Sequence, residues 1–294
     1  MDFGQLLTAM VTPFDEAGEI DYRATSNLIE HLINNGTDAL VVAGTTGESP
    51  TLSADEKIEL FTHVVKEVNG RIPVIAGTGS NDTRASIALT KEAEAVGVDG
   101  IMIVAPYYNR PSQAGLYEHF KVIAEATSLP VMMYNIPGRT AVNMEVDTIV
   151  KLSKIDNIVC IKESSGDLDA MAEIIERTAD DFELYSGDDS FTLPVLAIGG
   201  KGIVSVSAHV VGNEMKSMIN AFNSANMQEA SALHRQLLPK FKAIFSAPSP
   251  TPLKAVLNVM GVTVGGVRLP LVPVTEEQLE QIIEIMQIKK YKAS

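Results

Sequence analysis

The sequence predicts an α/β protein and, within that class, a TIM (β/α)8 barrel with a C-terminal helical extension. Three observations lead there. Short apolar runs alternate with segments of helical periodicity, which implies parallel β/α units buried on both sheet faces. There are eight such units, and their repeats of roughly 20 to 35 residues suit a closed barrel. No Gly-x-Gly-x-x-Gly follows any of the runs, so an open doubly wound sheet lacks its phosphate-binding fingerprint.

The strand-length runs are Leu6–Val11, Ala39–Ala43, Pro73–Ala76, Gly100–Ala105, Pro130–Tyr134, Ile158–Lys162, Phe182–Tyr185 and Gly202–Val206. Helical segments fill the gaps. Asp21–Asn34 places Leu28, Ile29, Leu32 and Ile33 on one stripe. Ser53–Val68 opens on a capping box, Ser53 with Glu56 three residues on. Thr83–Val96, Gln113–Ala126, Met144–Leu152 and Asp169–Arg177 repeat the pattern, and Gly36, Gly70 and Gly97 supply C-terminal stops. After about residue 225 the chain reads as helical throughout, with Met227–Phe245, Thr251–Met260 and Glu276–Gln287 joined by a Pro-rich linker and by Gly265-Gly266. The expected division is therefore a barrel over 1–224 and a helical subdomain over 225–294.

Composition bounds the partners. With 46% hydrophobic and 20% charged residues among 294, the chain has the makings of a large soluble core. A net charge of −14 argues against nucleic acid and anionic membrane surfaces. No apolar run reaches the roughly 18 residues a membrane span needs, and Met1–Leu7 lacks the basic and apolar regions of a secretory signal. The expected location is the cytoplasm. One cysteine, Cys160, permits no intrachain disulfide and reads as a buried small hydrophobe. The five histidines (His31, His63, His119, His209, His234) are dispersed and form no metal-ligand pattern.

The unusual residues gather where strands end, which is where a TIM barrel keeps its chemistry. Strand two ends in Gly44-Thr45-Thr46-Gly47-Glu48, strand four in Pro106-Tyr107-Tyr108-Asn109-Arg110, and strand five in Tyr134-Asn135-Ile136-Pro137-Gly138-Arg139-Thr140. Strand seven ends in Ser186-Gly187-Asp188-Asp189. Strand six carries Lys162, in a run otherwise fit for a dry core. A lysine desolvated there loses its proton more readily and can attack a carbonyl as the free amine. The alternative is a lysine whose head escapes to solvent past the strand end. Each loop feature also has a bland account as a turn, a cap or packing. Their convergence around one strand lysine favours the catalytic reading. Asp188 and Asp189 disfavour a phosphate, and Thr45 and Thr46 suit a small carboxylate.

The motifs Gly44–Glu48, Tyr107–Pro111, Tyr134–Thr140 and Ile161–Ser164, in this order and spacing, resemble the dihydrodipicolinate synthase (4-hydroxy-tetrahydrodipicolinate synthase) family over essentially the whole chain. The resemblance implies condensation of pyruvate with L-aspartate 4-semialdehyde on the way to diaminopimelate and lysine. Lys162 would form the imine with pyruvate. Thr45 and Thr46 would hold the keto acid's carboxylate, with backbone near Gly187 and Val204 lining the pocket. Tyr134 would shuttle protons through Thr45 to Tyr108, which in this family serves the neighbouring subunit's site. Arg139 would bind the carboxylate of the aldehyde. No metal or organic cofactor is implied, and a homotetramer or homodimer is expected. Lysine-inhibited members of the family carry histidines and a glutamate where this chain has Ala54, Lys57 and Ala85, while Ser49, Asn81 and Tyr107 remain; weak or absent lysine inhibition is therefore expected. The alternatives are a pyruvate-dependent lyase of sugar acids like N-acetylneuraminate lyase, sharing the imine, and a non-catalytic binding barrel.

Overall fold

The computed structural model describes residues 2–288. Eight strands close into one parallel barrel in sequence order. They are β1 (Leu6–Ala9), β2 (Ala39–Val42), β3 (Val74–Gly77), β4 (Gly100–Val104), β5 (Val131–Asn135), β6 (Ile158–Glu163), β7 (Glu183–Ser186) and β8 (Gly202–Ser205). The ring is completed by β8 pairing with β1, Val204 opposite Leu7. Because successive strand side chains point to opposite faces, the strands supply two separate cores. Leu7, Val41, Met102, Met132, Cys160, Tyr185 and Val204 belong to the group inside the barrel. Leu6, Leu40, Ile101, Ile161 and Ile203 join the larger core beneath the helices. Neither strand face is wet, so the strands read as continuous apolar runs.

The helices between strands are α1 (Tyr22–Asn34), α2 (Ala54–Val68), α3 (Thr83–Ala95), α4 (Gln113–Ala124), the short α5 (Pro137–Thr140), α6 (Val146–Leu152), α7 (Leu168–Arg177) and α8 (Thr192–Ala197). After β8 come α9 (Ala208–Asn223), α10 (Met227–Ile244), α11 (Thr251–Val259) and α12 (Glu276–Met286). Asp21, Ser53, Asp82, Ser112 and Asp167 cap their helices through side-chain oxygens, and the Ser53–Glu56 box is present in full. Each such cap satisfies an orphan N–H that would otherwise cost about 1 kcal/mol.

Two features depart from the sequence reading. Helices α8 and α9 are not among those the sequence predicts. The first is six residues long and contains Pro194. The second bends at Val211, and its opening turns are buried, with Ala208, His209, Val211 and Gly212 all inaccessible. Past the bend α9 is plainly two-faced, with Met215, Met218 and Ile219 buried and Asn213, Glu214, Ser217 and Asn220 exposed, so it is the buried opening that hides the period. The tail is also not helical throughout. Between α11 and α12 the chain runs without helix, past Gly261 and Gly265 in the left-handed region and past Pro270 and Pro273. Gly265 is required there, since a Cβ would sit 1.8 Å from the Phe14 carbonyl oxygen. The tail helices lie on the barrel, α10 against α9 and α12 against α10. No helix of the described residues is long and apolar enough to cross a membrane.

Candidate active site

The register of β5, β6 and β7 sets Tyr134, Lys162 and Tyr185 side by side. Strand alternation then separates neighbours in sequence. Lys162 faces the barrel interior and is 4% exposed, with Nζ 4.1 Å from the centre of the Tyr134 ring. Glu163 faces outward, where its carboxylate accepts hydrogen bonds from Asn135 Nδ2 at 2.9 Å and Ser165 N at 2.6 Å. Burial pushes the Glu163 carboxyl up from its ordinary range, against those hydrogen bonds. Lys162 makes no ion pair among the described residues, and the electron-rich face of the Tyr134 ring is what its Nζ meets.

Gly187, at the end of β7, makes room for that lysine. A Cβ there would lie 2.9 Å from Lys162 Cε, 3.1 Å from Lys162 Cγ and 1.9 Å from Ser164 Oγ. Ser164 Oγ is itself buried with no hydrogen-bond partner. Val204 of β8 is fully buried in the barrel interior, so what it offers a ligand is its level in the barrel and not an exposed surface.

Tyr134 also lines a cavity of about 360 Å³, together with Gly44, Thr45, Tyr107, Arg139 and Lys57 among others, whereas Lys162, Thr46 and Gly187 are not part of its lining. Its two charged lining side chains, Lys57 and Arg139, are both cations, so the mouth favours an anionic ligand although the whole chain is acidic. Thr45 is half-buried and Thr46 is buried. The loop that carries them is tightly built: Ala43 and Glu48 at its two ends have positive φ (51° and 57°). Tyr108, Arg110 and Ala141, in the neighbouring strand-end loops, share this conformation. Such a concentration of left-handed non-glycine residues is typical of functional sites.

The structure thus brings Thr45, Thr46, Tyr134, Lys162, Arg139 and Gly187 to one end of the barrel. Tyr108 stands apart. It is 89% exposed and does not line the cavity, whereas its neighbour Tyr107 does. The Asp188-Asp189 pair also divides. Asp188 caps a short turn through Ser190 N, while Asp189 is buried and accepts from Ser207 N at 3.0 Å and Ser207 Oγ at 2.7 Å, tying β7 to β8. Lys57, which the resemblance sets at an inhibitor-contact position, lines this cavity from α2. Burial pushes its pKa down, a shift opposed by the adjacent Glu56.

A closed parallel barrel with a buried lysine at the carboxyl end of β6 defines a lyase of the class I aldolase type. The chain belongs to the dihydrodipicolinate synthetase family, whose sequence pattern matches residues 2–289. It is 60% identical to the 4-hydroxy-tetrahydrodipicolinate synthase of Oceanobacillus iheyensis, over 97% of either chain. The crystal structure of a dihydrodipicolinate synthase from Bacillus anthracis superposes with a TM-score of 0.97 at 58% identity, covering 99% of this chain and 100% of that one. The synthase of Acinetobacter baumannii, solved in complex with pyruvate, superposes at 0.94 with 37% identity, over 98% and 100% of the two chains. The synthase activity therefore stands, in preference to the sugar-acid lyase.

Proposed function

We propose that the reaction runs through an imine between Lys162 and pyruvate, with L-aspartate 4-semialdehyde as the second substrate. One observation carries this reading: the Lys162 amine lies against the Tyr134 ring, and Tyr134 lines a cavity whose other walls carry cations and hydroxyls. The Lys162 amine adds to the keto carbon, and the carbinolamine expels water. The cationic imine then draws electrons from the adjacent methyl group, whose proton passes to the Tyr134 hydroxyl relay. The enamine attacks the aldehyde carbon and forms the new C–C bond. The substrate's own amino group next displaces Lys162 from the imine carbon, closing the ring and freeing the enzyme. Thr45 and Thr46 hold the pyruvate carboxylate, and Arg139 holds that of the aldehyde.

Arg139→Ala separates these roles. The aldehyde KM should rise by roughly 10- to 100-fold, the loss of a charge-assisted contact, with imine formation from pyruvate nearly unchanged. Steady-state kinetics with each substrate varied provides the test, and an unchanged aldehyde KM would remove Arg139 from the scheme. Tyr108, exposed and clear of its own cavity, is assigned to the site of a neighbouring copy in a homo-oligomer, dimer or tetramer. No cofactor is assigned.

The reading extends to regulation. Ala54 and Ala85 line a groove between α2 and α3, apart from the cavity that Lys57 lines. A lysine ligand reaching the cavity brings its ammonium towards Lys57 and finds no carboxylate among the lining side chains. Millimolar lysine should therefore lower the rate by no more than about twofold. Half-inhibition below about 1 mM in a titration would count against the assignment of Lys57 as the repelling charge.

A further inference from the structure

The loop Gly44–Glu48 presents Thr45 to the cavity, yet its last side chain points the other way. Glu48 is 3% exposed. Its Oε1 accepts from Lys254 Nζ at 2.9 Å, and its Oε2 accepts from Arg268 N at 2.9 Å. Lys254, on α11, is 1% exposed. It also donates to the Thr12 carbonyl oxygen at 2.8 Å and lies 4.2 Å from the centre of the Phe14 ring. Thr12 in turn clasps the same loop, its hydroxyl donating to the Gly47 carbonyl at 2.7 Å. The Arg268 side chain closes the assembly by donating to Gly18 O and Thr51 O, each at 2.8 Å, and to Glu56. The turn just past the loop is thereby bound as well.

An ion pair this deep is weak evidence for stability, because the desolvation of two charges offsets their attraction. What the pair does supply is a fixed distance. Two left-handed residues bound the loop, and such backbone persists only where its surroundings hold it. Glu48 is the loop's link to residues more than 200 positions away.

We propose that the buried Glu48–Lys254 pair is a positioning device for catalysis. The C-terminal helices, through Lys254 and the Arg268 backbone, hold the loop so that Thr45 and Thr46 meet the keto acid's carboxylate. This rests on the assignment of that carboxylate to the two threonines. Truncating one partner leaves a buried charge unpaired and destabilises strongly. Neutralising both, or exchanging the carboxylate for an amide that still accepts from Lys254, keeps the packing at less cost in stability. The informative variant is therefore the double Glu48→Gln/Lys254→Met, supported by Glu48→Gln alone, which is nearly isosteric and keeps an acceptor.

The readout is borohydride trapping of pyruvate on Lys162, with pyruvate concentration varied, alongside thermal unfolding. We expect the double variant to unfold within a few degrees of the parent, with the half-saturating pyruvate raised about tenfold and the trapped plateau changed far less. Glu48→Gln alone should shift half-saturation the same way by a smaller factor, and it decides the matter if the double variant does not fold. A folded variant with the parent's half-saturation overturns the positioning role, as does a lowered plateau at unchanged half-saturation. If the parent protein itself forms no adduct on Lys162, the failure belongs to the imine reading and not to the pair.

Discussion

Lys162→Met is expected to abolish turnover while leaving the barrel at least as stable as before. The two effects have separate causes. The Lys162 amine is the nucleophile of the proposed imine, so the loss should be roughly a thousandfold or more. Stability moves the other way because Lys162 is 4% exposed and its polar head lacks an ion-pair partner among the described residues. Methionine fills nearly the same volume without that desolvation cost. Borohydride with pyruvate, followed by peptide mass analysis, should label the peptide containing Lys162 in the parent and nothing in the variant. Ordinary turnover by Lys162→Met, or an adduct on another lysine, would end the mechanism proposed above. A large fall in melting temperature would instead show that the lysine is held by contacts that compensate its burial.

Gly187→Ala should come next in severity, with about a hundredfold loss in kcat/KM for pyruvate. Gly187 is not in the left-handed region, so the penalty is steric and lies in what surrounds it. The added methyl would collide with Ser164 Oγ and press on Lys162 Cε and Cγ. The serine can rotate away, but the lysine cannot move without carrying its amine off the Tyr134 ring. Displacement of a reacting group by about 1 Å can cost a hundredfold. Adding Ser164→Ala to Gly187→Ala removes only the first clash. The pair should therefore recover stability without recovering imine formation. Full recovery of trapping by the double variant would show that Gly187 accommodates the serine, not the lysine.

Much of the fold was legible because a barrel strand is a local object. Ile158–Lys162 reads as a buried strand from five residues, and it lies within β6 as the structure draws it. Ser53 declares its helix by chemistry confined to one turn. Helices α8 and α9 were silent for other reasons. The six residues of α8 are too few to show a period, and α9 opens on a buried, bent turn that obscures the stripe its later residues carry. The long irregular stretch before α12 was misjudged as helical tail because its conformation answers to the Phe14 backbone, far away in sequence.

The candidate site divides along the same line. The sequence alone determined that reactive residue types cluster at strand ends and that one of them is a lysine in an apolar run, since both facts are matters of order and period. Only the tertiary structure decided that Tyr107 lines the cavity while Tyr108 leaves it, and that Glu48 meets Lys254. Each depends on the direction of a single side chain or on two segments some 206 residues apart. Short-range periodicity carries no record of such meetings, because they come into being only when the chain closes on itself.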